Sequence, residues 1–462
     1  MRVSQAETPE EMKNSIKIDH DSHITTKYRI GIMNRKKLWH NTAENWKSIF
    51  RGIKKTEVKF VIATALVVSP HQPWLTLNLI LITLAFTSMT FFLYVGAMSM
   101  YYARSDLMTF VEIAHAYSIV FAFYVLLIAH YAVSMPMTHG LYQMIDQGIF
   151  DYKTKYGEDD DNKLRDKIRF YQNVFQNVFH VAIFLILCFL GILTPFLIKF
   201  FGNKDGDLIK EINYDLPVPL WLPFETDTVL GYTLAYSFVF GEVALICVYL
   251  SSAIPFIVFC TFEINLQFRV LQRSILNLEH RALERYNFYG NMTEQRVEIL
   301  REDVFYAKCV HECLRENILH HIEIIRFFNL FQDVTSTLFG VIIGVSMMVL
   351  ASLSIVLSKA ELFSFIFIKF AFTFFVELGI VFGYCLMGTF ITDGSQLIPS
   401  ALYNCPWYNL NEIHRRTLRI FQINSAVSVE LKGNGLFLID LQLFVQIVQT
   451  TYSIFNIFSS ME

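Results

Sequence analysis

Long apolar stretches alternate with polar, charged loops along the whole chain. A membrane-crossing helix needs about 20 mostly apolar residues. Runs of that length fall at Trp74–Tyr101, Phe110–Met135, Phe170–Phe200, Val229–Phe262, Phe327–Leu357, Leu362–Phe390 and Leu436–Phe458. The pattern predicts an all-α, polytopic bundle of seven transmembrane helices. A shorter run, Val58–Val68, precedes Pro70 and Pro73 and reads as a re-entrant or interfacial piece. The composition agrees: 54% hydrophobic and 17% charged, where globular chains carry about 25% charged residues.

Charge sets the orientation. Lys and Arg crowd the N-terminal segment, the loop after the second run (Lys153 to Arg169), the loop after the fourth (Arg269 to Arg301) and the stretch before the last (Arg415, Arg416, Arg419, Lys432). The alternate loops are poor in them, and the loop before Val229 is acidic (Asp205, Asp207, Glu211, Asp215, Glu225, Asp227). Positive-inside bias then puts the N-terminus in the cytoplasm, and seven crossings put the C-terminus outside, the reverse of a G-protein-coupled receptor. The N-terminal stretch has no apolar core, so no signal peptide is expected.

The predicted organisation is a cytoplasmic segment (1–73), spans one to four (74–262), cytoplasmic helical extensions with a short loop (263–326), spans five and six (327–390), a cytoplasmic helical segment (391–435), and the last span with a short extracellular end (436–462). The helices either side of Asn287–Gln295 are expected to continue past the membrane with apolar stripes that need something to pack on. The acidic run Tyr156–Lys163 is expected to be a solvated loop tip. The triplet Asn291-Met292-Thr293 falls in a cytoplasmic loop and should carry no glycan.

No phosphate-binding loop, metalloprotease motif, nucleophile elbow or paired Cys-x-x-Cys is present, so neither enzyme nor cofactor is expected. Cys309 and Cys313 with His311, His320 and His321 are read as helix-packing residues in preference to a metal site, and the seven cysteines suggest no disulfide framework.

The last run is more informative. Gln442, Gln446, Gln449, Ser453, Asn456 and Ser460 are spaced 4, 3, 4, 3 and 4 apart, one stripe on a helix. Leu443, Phe444, Ile447, Ile454, Phe455 and Phe458 form the opposite face. Uncharged polar groups cannot face lipid cheaply. Two readings stay open: interhelical hydrogen bonding, or the wall of a water-filled ion path through Gln449, Ser453 and Asn456. Glu242, Lys369 and Glu377 are intramembrane charges, either lining a solvated vestibule or forming structural contacts.

Aromatic residues gather in the outer halves of the spans. Phe110, His115, Tyr117, Phe121, Phe184, Tyr232, Tyr236, Phe240, Phe370 and Phe374 are the candidate ligand-binding residues. Plain packing is the other reading. A pocket of this kind, apolar with a few hydroxyl handles, would suit an ester or carbonyl compound.

The C-terminal third carries Ser395, Ala401, Tyr403 and Trp407, the basic helix Arg415–Arg419, and Thr451-Tyr452-Ser453 in the last run; Leu216–Asp227 reads LPVPLWLPFETD. In these motifs the chain resembles the insect odorant receptor family. The resemblance implies a ligand-tuned subunit of a non-selective cation channel in the plasma membrane of olfactory sensory neurons, at their dendritic cilia. It implies a heterotetramer with an odorant receptor co-receptor, anchored by cytoplasmic helices, with the last span of each subunit lining one pore. It places a small volatile ligand among spans two to six. The family's gate positions correspond to Phe455 and Ser459; Phe455 keeps the apolar gate and Ser459 does not. These positions lie roughly 120° around the helix from the centre of the polar stripe, which the resemblance leaves as the flanking wall. The short connection near Asn287–Gln295 resembles a tuning subunit and not the co-receptor. A gustatory-receptor-like channel working without the co-receptor is the alternative, with a G-protein-coupled receptor or transporter behind it. The former is disfavoured by Phe458 and Ser459 near the end of the last run.

Overall fold

The computed structural model describes residues 74–153, 156–193, 209–290, 303–362 and 364–460. The Val58–Val68 piece, the basic N-terminal segment, Asn291 and most of the Asn287–Gln295 connection lie outside the described residues.

Helix α1 is Trp74–Tyr102, followed by a tight turn at Ala103–Ser105. Asp106 then caps α2, Leu107–Ala129, by accepting from the Met108 amide at 3.1 Å. This satisfies one of the orphan N–H groups of a helix start. A π turn, His130–Ser134, carries the chain into α3, Met135–Gln147. Helix α4, Glu158–Cys188, ends in a second π turn at Phe189–Leu193. Its first turn holds Glu158, Asp159, Asp160 and Asp161. The expected loop tip at Tyr156–Lys163 is thus corrected. The four acids sit at the positive end of the helix dipole, where carboxylates stabilise a helix.

Helix α5 is Val229–Leu276, α6 Leu278–Gly290, α7 Val304–Lys359 and α8 Phe365–Asn404. At 48 and 56 residues, α5 and α7 reach about 72 and 84 Å, against roughly 30 Å for a hydrocarbon core. Both run far past the apolar stretches that nucleate them. Helix α9, Glu412–Ser425, is amphipathic and lies against α8.

A two-stranded hairpin follows: β1, Lys432–Gly433, pairs antiparallel with β2, Phe437–Leu438. Asn434 (φ 49°) and Gly435 (φ 69°) form its turn, the left-handed pair that tight hairpins demand. Helix α10, Leu441–Ser460, starts only after it, with Asp440 accepting from the Leu443 amide at 2.8 Å. The expected start of the last run at Leu436 is therefore corrected by the Asn-Gly turn.

Among the described residues, six helices are long and apolar enough to cross a membrane: α1, α2, α4, α5, α7 and α8. The bundle has separate cores. One, around Phe268, Phe327, Phe331 and Phe339, joins α5, α7 and α8 and continues into the extensions. Another, around Met89, Ile113, Leu216 and Leu220, lies between α1, α2 and α5 under the acidic loop. That loop is fastened where the Trp221 amide donates to the buried Ser99 hydroxyl at 2.8 Å.

Candidate functional site

Two halves of α5 present different chemistry. Near its start, Tyr232, Tyr236 and Phe240 recur every fourth residue and stack, with ring centroids 6.3 and 6.2 Å apart. The Tyr236 hydroxyl donates to the Gly191 carbonyl at 2.5 Å, and Tyr232 donates to the Asp215 carbonyl at 3.2 Å. The π turn of α4 makes this close approach. A Cβ at Gly191 would sit 2.6 Å from the Phe240 ring, so a side chain there would force α4 and α5 apart.

Phe370, 3% exposed, packs with Val111, Val349, Leu353 and Val356. Phe374 is half-buried and touches both this cluster and the main core. His115 has its Nε2 enclosed with no hydrogen-bond partner among the described residues. Next to it Lys369 of α8 pairs with Glu112 of α2, their side chains 15% and 20% exposed. Phe372 and Phe189 meet at 4.7 Å, closing α8 against the α4 π turn. Pairwise contacts thus run from α5 to the α4 π turn, from that turn to α8, and from α8 to α2.

Other candidates sit elsewhere. Tyr117 points at α1, where a Cβ at Gly96 would be 2.9 Å from its ring, and stacks on Phe121. Phe110, Phe121 and Phe184 are 37%, 47% and 63% exposed on the outside of the chain. Glu112 and Phe189 were not among the candidates. Glu112 is an acid in an apolar run, the signal that marked Lys369. Glu377 accepts a hydrogen bond from the Ser346 hydroxyl of α7, a structural contact.

On α10, Gln442, Gln446, Gln449, Ser453, Asn456 and Ser460 are all exposed, with Ser459. Ile447 is buried, and Leu443, Phe444, Ile454, Phe455 and Phe458 are half-buried against the bundle. The polar stripe is thus the face this chain leaves uncovered.

Below, the extensions are locked by charge. Glu316 of α7 takes Arg281 at 2.6 Å and Arg285 at 2.8 Å, both from α6, with each arginine side chain 3% exposed. Arg281 also donates to Asn317 at 2.9 Å and to Ser274 at 2.5 Å. Beside it the Tyr152 hydroxyl donates to His320 Nδ1 at 2.6 Å, and His320 Nε2–H donates to Gln267 Oε1 at 2.9 Å. Burial, helped by the charges of Arg165, His321 and Arg281, holds the His320 pKa down at about 3. Its ring is therefore neutral, as one donor and one acceptor nitrogen require. Cys309 and Cys313 are buried where α6 packs on α7, and all seven cysteines are free thiols.

The profile of the 7tm odorant receptor family matches residues 109–452. The fold is similar to the solved structure of the insect olfactory receptor OR5 from Machilis hrabei, with TM-score 0.66 at 12% identity over 90% of this chain and 100% of that one. The same receptor in complex with eugenol aligns with TM-score 0.62 at 14% identity over the same shares. A search of curated proteins returns no match. With the family profile spanning three-quarters of the sequence, from α2 into α10, the chain belongs to the 7tm odorant receptor family.

Proposed function

We propose that this chain is the ligand-tuned subunit of an odorant-gated, non-selective cation channel that assembles as a heterotetramer with an odorant receptor co-receptor. The carrying observation is the odorant receptor profile over 109–452, on a chain whose α2, α4, α5 and α8 converge on aromatic rings and a few polar handles. The ligand is a small volatile, with an ester or carbonyl compound favoured, held among His115, Tyr232, Tyr236, Phe240, Phe370 and Phe374. Tyr117 packs against α1, and Phe110, Phe121 and Phe184 look outward, so these four fall outside the proposed set. The neighbouring receptor's complex with eugenol supports a small-molecule ligand.

Helix α10 is the seventh crossing: its 20 residues reach about 30 Å. The N-terminus is cytoplasmic, α9 belongs to the cytoplasmic anchor, and the C-terminus is extracellular. Phe455 and Ser459 take the gate positions, with Gln449, Ser453 and Asn456 as polar wall. The plasma membrane of olfactory dendrites is its place of action.

The test is whole-cell current under esters, aldehydes, alcohols and terpenoids, with the chain alone and with an insect odorant co-receptor. Fast inward current only with the co-receptor supports the tuning-subunit reading. Current from the chain alone replaces it with a self-sufficient channel. Silence in both, with surface expression confirmed, counts against a channel opened by these volatiles.

A further inference from the structure

Toward the far end of α5, a cleft of about 850 Å³ opens between residues 147–153 and 156–157, the first turns of α4 and the last turns of α5. Its charges are segregated. The half-buried and buried part holds Arg165, Arg273 and Arg281 against Asp161. The exposed rim holds Lys153 and Arg169 with Asp151, Glu158, Asp160 and Asp166. Asp161 is taken by Arg273 at 3.1 Å, and Arg281 by Glu316 behind the wall. Arg165 is half-buried and has no ion-pair partner among the described residues. The floor is therefore short of negative charge.

A second cavity, a groove of about 680 Å³, continues along the same α4–α5 seam. Its α4 wall is Asn173, Gln176, Asn177 and His180, then Ile183, Phe184 and Leu187. Arg169 and Arg165 stand one and two turns before Asn173 on that face. His180 is fixed by donating from Nε2 to the Ser251 carbonyl at 2.9 Å. The exposed Asn173 and Asn177 amides sit in a membrane-span candidate without a hydrogen-bond partner among the described residues. Such groups require one from outside. Along the seam the order is guanidinium, amide, hydrocarbon. A phospholipid offers phosphate, ester carbonyl and acyl chain in the same order.

We propose that the α4–α5 seam binds an inner-leaflet inositol phospholipid. Its phosphates lie on Arg165 and Arg169, its headgroup fills the cleft, its ester carbonyls accept from Asn173 and Asn177, and one acyl chain follows Phe184 and Leu187. The cleft is far larger than one phosphate needs, which selects a phosphorylated ring over a simple headgroup. Basic pockets on the cytoplasmic side of transmembrane helices take such lipids. The inference rests on the proposed orientation, which puts the cleft in the cytoplasm.

The purified full-length chain is titrated with dioctanoyl phosphatidylinositol 4,5-bisphosphate, dioctanoyl phosphatidylserine, dioctanoyl phosphatidylcholine and free inositol trisphosphate, reading the melting temperature and native mass. The inositol lipid should bind at least about tenfold more tightly than the other three. Arg165→Gln with Arg169→Gln should weaken it about tenfold or more, while Arg326→Gln, on α7, leaves it unchanged. Should the double variant misfold, the exposed Arg169→Gln alone carries the test. Equal binding of phosphatidylcholine or phosphatidylserine, or full binding by the arginine variants, overturns the proposal. Free inositol trisphosphate binding as tightly as the lipid also overturns it, since a soluble anion would then be the occupant. Lys153→Cys, labelled with an impermeant maleimide in cells, separates the two readings. Labelling from the cytoplasm leaves the orientation standing whatever the lipids do; labelling from outside removes the orientation and the lipid site together.

Discussion

The two ends of the bundle, where α6 packs on α7 and where α5 begins, solve opposite problems. Below, both oxygens of Glu316 are occupied by buried arginines, and His320 has a partner on each nitrogen. Above, hydroxyls meet backbone carbonyls, rings stack at about 6 Å, and His115 keeps an enclosed nitrogen with no partner among the described residues. A network whose charges are all paired resists rearrangement, because each group lost strands another charge, even though the Asn317 Nδ2 beside it has no hydrogen-bond partner among the described residues. A region with a spare polar atom and rings free to slide is where an incoming molecule can complete the bonding. The contrast is between charges paired across helices at one end and single hydroxyl–carbonyl bonds with stacked rings at the other.

The contrast breaks most severely at Glu316. Replacing it with Ala strands Arg281 in the interior and leaves Arg285 only Glu312, at 3.3 Å, which should cost about 3–5 kcal/mol. The expected outcome is loss of the monodisperse peak when the protein is extracted in detergent; Glu316→Gln should be milder. A normal elution profile for Glu316→Ala would mean this end is not held by charge.

Next comes Lys369→Met, which leaves Glu112 unpaired between α2 and α8. About 3 kcal/mol should be lost, read as a lower melting temperature and reduced surface expression. Lys369→Met with Glu112→Leu should recover most of it. Additive losses in the double variant would show that the two side chains do not act as a pair.

Acid sharpens the comparison from the inner side. The folded pKa of His320, about 3, lies below its ordinary value of 6.5, so the unfolded chain takes up the proton first. The contribution of neutral His320 is full above about pH 6.5 and is lost as pH falls toward 3. The melting temperature should drop between pH 7.5 and 5.5, and His320→Gln should flatten that slope. His321, held down at about 4 by burial, leaves a residual slope. Parallel slopes for wild type and His320→Gln would exclude His320 as the source.

The smallest effect belongs to Tyr236→Phe. It removes one hydrogen bond to Gly191, about 1 kcal/mol, and leaves the ring stack intact. Odorant sensitivity measured as current should shift several-fold with unchanged expression. An unchanged dose–response would put Tyr236 outside the responsive region.

Much of this fold was legible from periodicity. The stripe from Gln442 to Ser460 stands exposed, and the apolar face from Leu443 to Phe458 packs inward, as the spacing implies. The site was legible only in part. Tyr232, Tyr236 and Phe240 meet because they share a helix face, whereas Phe110, Phe121 and Phe184 look outward. Counting aromatics cannot separate these cases, because a lipid-facing surface is as apolar as a core. Nor could either charge alone reveal that Glu112 meets Lys369, 257 residues away. The start of α4 was misread because an acidic run looks the same in a loop and at a helix N-terminus.

The hairpin before α10 does more than turn the chain. Gln332 of α7 donates to the Lys432 carbonyl at 2.5 Å and accepts from the Lys432 amide at 2.8 Å. The Asn434 amide donates to the Ser336 carbonyl at 3.1 Å. These bonds pin the base of α10 to α7, while its far end at Ser460 has no such clasp among the described residues. Toward Ser460 only the apolar packing of Ile454, Phe455 and Phe458 holds the helix, so the polar bonding of α10 to its neighbour is concentrated at its start.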